Sequence, residues 1–245
     1  MVIKRILSSI ILAVSLPQSG VAAVYFTAKC SQFGHPEFQI NVSDKKIPRA
    51  DVDWFLSTLE GMVAGGERFR LGETMQIGWM IIKLEPGDKG ALKIAEPDMK
   101  SVPIRFVDSV DATISHLRSQ KDSLESVLPA AALSFPSLTQ SAIVHVNYKQ
   151  ARKVGLHRLS TDGADSGWWL SDLADPSGNT DPTRFAKVSL YQLAIDRPDL
   201  VKFLAFPVGV QVVVDGRVGV LYEGGELPIK EGSFLHLINS QALRQ

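Results

Sequence analysis

The sequence predicts an α+β protein made of two small mixed α/β domains, with antiparallel strands and packed helices. Short alternating stretches at 37–42 (EFQINV) and 208–222 call for strands, and apolar residues at helical spacing in 52–63 and 107–124 call for amphipathic helices. Between the two halves, residues 129–140 are small and polar and are broken by Pro129 and Pro136, as a linker is. An apolar content of 45% supports packed cores.

The chain opens with the pattern of a cleavable export signal. Lys4 and Arg5 give a charged start, and Ile6 to Leu16 form an apolar run diluted by Ser8, Ser9 and Ser15. Val21-Ala22-Ala23 then offers small residues where a signal peptidase reads them. The run is too short to span a bilayer, which needs roughly 20 residues. The expectation is export across a bacterial inner membrane, cleavage after Ala23, and a periplasmic chain with no further membrane insertion.

The first domain is expected over 24–128. Residues 37–42 alternate as a strand. Pro48 suits the first turn of a helix, along which Val52, Phe55, Leu56, Leu59, Met62 and Val63 recur before Gly65-Gly66 stops it. Residues 74–84 (TMQIGWMIIKL) are apolar on both faces and read as one central strand, with Leu92 to Ala95 beside it. Val107, Val110, Ile114, Leu117 and Leu124 mark a second helix. Arg118 with Asp122 and Lys121 with Glu125 support its exposed face, where His116 is also expected.

The second domain is expected over 141–245. It opens on a strand at 142–146, followed by a long polar loop at about 161–184. Two short helices over 188–206 are divided before Pro198. Asp215-Gly216 between two alternating runs predicts a two-residue hairpin, and Phe234 to Ile238 a terminal element that packs back.

Composition narrows the function. With Lys4 and Arg5 removed, acids slightly outnumber bases, which is no nucleic-acid footprint. Cys30 is the sole cysteine and forms no internal bridge; a buried thiol is the simplest reading. The chain carries no GxSxG, HExxH, P-loop or GxGxxG pattern. The five histidines show no i,i+4 pairing for a metal, and Asp175 to Asp181 lacks the calcium-loop spacing. No catalytic residue, metal or cofactor is therefore assigned.

Recognition is better supported. The 161–183 segment holds Asp162, Asp165, Asp172, Asp175 and Asp181, no Lys or Arg, and Trp168-Trp169 in the middle. Aromatic anchors beside carboxylates suit a basic protein surface, the indoles giving contact area and the acids steering the encounter. Neighbours in a strand face opposite ways, so at most one of the two indoles enters a given core face. Trp54 lies off the apolar stripe of its helix, either as a lid under the other domain or as an exposed contact.

Gly167-Trp168, the acids through Asp172 and Asp175, Ser189-Leu190, Asp196, Pro198-Asp199-Leu200, Leu204 and Pro207-Val208-Gly209 together resemble the immunity protein 33-like family, found beside secreted polymorphic toxins. Cys30, Phe33-Gly34, Gly66, Phe69, Gly72, Thr74, Ile77-Gly78-Trp79 and Glu96-Pro97 resemble the region that often precedes it. The resemblance implies an α+β fold and a non-catalytic task, binding and blocking a toxin. Export would place that toxin in the periplasm, favouring a wall- or lipid-degrading enzyme whose gene is adjacent. Candidate toxin contacts are Trp168, Trp169, Asp172, Asp175 and Trp54. The alternative is an exported envelope module that binds wall fragments or another envelope protein.

Overall fold

The computed structural model describes residues 22–242, so the export signal expected at 1–23 lies almost wholly outside the described residues. Helices and two mixed sheets build an α+β protein.

The first sheet has the order β1 (Ala23–Phe26), β2 (Phe38–Val42), β5 (Leu92–Pro97), β4 (Met80–Pro86), β3 (Thr74–Ile77), with β6 (Phe106–Val107) also on β5. Only β2 and β5 run parallel. Helix α1 (Arg49–Ala64) buries Val52, Phe55, Leu59 and Val63, one stripe at helical spacing, against Phe38, Ile40, Ile82 and Ile94. Pro48 is the N-cap of α1 rather than part of its first turn. Cys30 is fully buried in this core.

Residues 74–84 are two strands, not one. Gly78 and Trp79 form the tip of the β3–β4 hairpin, whose register pairs Ile77 with Met80. Gly78 has φ of +59°, and a Cβ there would stand 2.2 Å from Leu117 Cδ2. Only glycine meets both conditions. The run looked like a central strand because its apolar residues serve two cores: Met75, Ile77 and Ile82 line the first, Trp79 and Met80 the second.

Helix α2 (Asp111–Glu125) is likewise shared. Ile114 and Leu117 belong to the first core, Leu124 to the second, and Gln120 Nε2 donates to Val201 O at 3.1 Å. The buried Glu96 carboxylate caps its start, accepting from Ala112 N–H, Thr113 N–H and Thr113 Oγ1 at 3.0, 2.7 and 2.8 Å. A carboxylate is stabilised at the positive end of a helix. Both expected ion pairs on the outer face are present, Arg118–Asp122 at 3.5 Å and Lys121–Glu125 at 2.8 Å. His116 departs from expectation: its ring packs on Trp79 at 5.4 Å and its Nδ1 is buried.

The second sheet has seven strands in the order β10 (Phe185–Ser189), β7 (Ser141–His145), β9 (Asp165–Asp172), β8 (Val154–Arg158), β11 (Val210–Asp215), β12 (Arg217–Tyr222), β13 (Gly225–Glu226). β7 and β9 are parallel and every other neighbouring pair is antiparallel. Helices α3 (Leu190–Asp196) and α4 (Phe234–Ala242), with the 3₁₀ helix Pro198–Phe203, share its core. The division before Pro198 is as expected, the second piece being 3₁₀. The β11–β12 hairpin is also as expected, but its register pairs Asp215 with Arg217 and leaves Gly216 alone at the tip.

Much of the polar loop expected at 161–184 is strand β9. Gly167, with φ of +79°, passes so close to Leu159 that a Cβ would stand 2.0 Å from its carbonyl oxygen. The β7–β9 register slips at this point. Its Asp and Ser residues give β9 the composition of a loop.

Candidate protein-binding surface

The two faces of the second sheet differ. One carries Val144, Trp168, Leu170, Leu156, Val212 and Val220, all buried beneath the helices. On the other, the strand registers align one row across all seven strands: Lys187, Ile143, Trp169, His157, Gln211, Leu221 and Glu226. Residues opposite one another in register share a face. Every member of this row is at least partly exposed. The row mixes apolar area with polar ends, as a transient protein interface does.

Adjacent in sequence, the two tryptophans point opposite ways. Trp168 is 1% exposed, its Nε1 donates to Leu204 O at 3.1 Å, and the Arg158 guanidinium lies 5.7 Å from its ring. Trp168 is therefore corrected from a contact residue to a core residue. Arg158 is buried with it and spans the domain, donating to Ser134 O and Phe206 O; burial lowers its pKa to about 10. Trp169 is 37% exposed, and its ring lies 5.5 Å from that of Phe185. With Ile143, Asn179, Pro182 and Lys187 these two rings line a groove of about 410 Å³.

The segment between β9 and β10 folds over one end of the open face. His145 is fully buried beneath it, with Phe185 edge-on at 5.6 Å. His145 Nδ1 accepts from Asn147 N–H, which leaves Nε2 toward Asp175 Oδ2, 3.3 Å away but out of hydrogen-bond alignment. Asp175 also accepts from Gly178 N–H at 2.9 Å and from Arg184 at 3.0 Å. The Gly178 N–H, then Arg184, hold its carboxyl below the ordinary carboxylate range. Asp172 is 7% exposed and accepts from Ala174 N–H, so it is corrected from a contact to a turn residue. Asp181 accepts from Thr183, and Asp165 lies 3.5 Å from Lys187. The acids that suggested electrostatic steering are spent largely on shaping this segment, a habit of Asp in turns. No three His, Cys, Asp or Glu side chains among the described residues are grouped to hold a metal ion.

Trp54 is 50% exposed and stands apart from this face. It lines a cleft of about 350 Å³ with Leu117, Leu133, Phe135 and Arg118, where α1 and α2 meet the connecting segment. A wider trough of about 780 Å³ continues toward α4. Arg118 at its wall is paired with Asp51 at 2.7 Å and with Asp122 at 3.5 Å. Sequence reasoning missed Ile143 and Phe185 as surface partners of Trp169, because only the pairing of β7, β9 and β10 brings them together.

Residues 119–223 match the Imm33-like domain family. The chain carries an Imm33-like domain. The match begins inside α2 and ends just after β12, so it includes the 129–140 segment and six strands of the open-faced sheet. Trp169, Phe185 and Asp175 all lie within the Imm33-like domain, and Trp54 lies outside it. No curated protein and no solved structure matches the chain.

Proposed function

We propose that this chain is a periplasmic immunity protein that binds and neutralises a secreted antibacterial toxin without catalysing a reaction. The supporting observation is that the Imm33-like domain leaves one face of its sheet uncovered, with Trp169 inside the exposed row. Trp169 and Phe185 act as the aromatic anchors, and the Asp175-held segment fixes one rim of the surface. Tight inhibition needs about 1,200–2,000 Å² of buried surface in total, with a few central side chains supplying most of the affinity. Occluding a wall- or lipid-degrading enzyme is the mode that fits export.

The test is co-expression. Each protein encoded beside this gene is exported to the periplasm of a host, with and without this chain, and growth is followed. Rescue that requires residues 1–23 supports both the immunity role and the compartment. If no neighbour is toxic, or if toxicity persists with this chain present, the immunity role is lost and an envelope-binding module becomes the better account.

A further inference from the structure

Resting on the immunity role, we propose that the partner docks by adding an extended strand to the outer edge of β10. Its side chains would continue across the open face into the Trp169–Phe185 groove. In an antiparallel pair, alternate residues direct their main-chain groups to opposite sides. Val146 N–H donates to Arg184 O and Leu190 N–H donates to Gln140 O, both at 2.8 Å, so the even-numbered residues of β10 face β7. The outward groups are then the carbonyl of Phe185, the N–H and carbonyl of Lys187, and the N–H of Ser189. None of these four has a hydrogen-bond partner among the described residues.

Edge strands are ordinarily guarded by shortness, proline, lysine or cover, and the one lysine of β10, Lys187, is drawn aside to Asp165 at 3.5 Å. At the far edge of the same sheet β13 is two residues long, and the edges of the first sheet, β1 and β3, are four each. β10 has five residues, the longest edge among those described, with no proline and with Ala186 and Lys187 exposed.

Area favours use of the edge. From β10 to β12 the sheet spans about 24 Å, and five residues of strand cover about 17 Å, a footprint of about 400 Å². A stable complex buries about 800 Å² per partner. A strand laid on β10 adds to this footprint along an edge whose outward main-chain groups are unpaired. Backbone pairing supplies affinity and the adjoining groove receives alternate side chains.

Lys187→Pro removes the outward N–H and leaves the β7 ladder intact, whereas Lys187→Ala removes only the side chain. Using the full exported chain and the toxin that co-expression shows to be neutralised, Lys187→Pro is expected to weaken binding about 10-fold or more, and Lys187→Ala less than about 3-fold. Amide exchange on the wild-type complex keeps the test independent of how well the proline variant folds. The Lys187 and Ser189 amides should be slowed by toxin. Wild-type neutralisation with both amides still exchanging freely would overturn strand addition and leave the immunity role standing. Slowing that follows protein concentration with no toxin present would assign the edge to a second copy of this chain instead. A wild-type chain that neutralises nothing would remove both proposals.

Discussion

The N–H of Leu138 donates to the carbonyl of Trp79 at 2.8 Å, joining a hairpin tip from the first half of the chain to the segment that leads into the second. The Trp79 indole follows its backbone and is fully buried in the second core. Phe135 packs against both cores, and a Cβ on Gly78 would meet it at 3.4 Å. The 129–140 segment is thus pinned at both its aromatic and its main-chain groups.

Gly78→Ala should therefore be far more costly than an ordinary turn substitution. The methyl group meets Leu117 in a closed core while the backbone is held at positive φ, which together cost about 2–4 kcal/mol. Urea unfolding followed by circular dichroism measures it. A loss below about 0.5 kcal/mol would show that the tip is not constrained.

Opposite outcomes are expected for the tandem tryptophans. Trp168→Ala should destabilise the fold by about 3–5 kcal/mol, since it empties a buried site and removes the ring beside Arg158. Trp169→Ala should change stability by less than about 1 kcal/mol yet weaken toxin binding by about 2 kcal/mol or more. Denaturant titration and calorimetric binding on the same two variants separate the roles. Equal effects on stability would remove Trp169 from the binding surface.

His116 ties stability to pH. Burial against Trp79 lowers its pKa from 6.5 to about 4, so in that interval the unfolded chain holds a proton that the folded chain does not. Stability is full above pH 6.5 and is lost as pH falls toward 4, by roughly 3 kcal/mol in all. Unfolding midpoints measured across this range should fall more steeply for the wild type than for His116→Leu. Parallel slopes would show that the ring titrates normally.

Local patterns carried much of the fold. The Phe38, Ile40 and Val42 alternation, the Val52–Val63 stripe, the α2 ion pairs and the β11–β12 hairpin each depend on residues close in sequence. What was illegible depends on distant partners. Trp79 sits in an apolar run with no mark that it belongs to another core. Trp168 and Trp169 are the same residue type in succession, and only the helices packed on one side of β9 tell them apart. The acidic segment suggested a charged surface because sequence shows the carboxylates but not the N–H groups of Ala174, Gly178 and Thr183 that they accept from.

Side-chain footprinting of the complex tests the central claim most directly. Hydroxyl-radical oxidation of Trp169, Phe185 and Trp54 is compared in the free chain and with the neutralised toxin bound. Binding through the open face of the Imm33-like domain predicts that Trp169 and Phe185 become protected while Trp54 stays as reactive as before. Protection of Trp54 with Trp169 and Phe185 unchanged would contradict it and move the interface to the α1–α2 cleft.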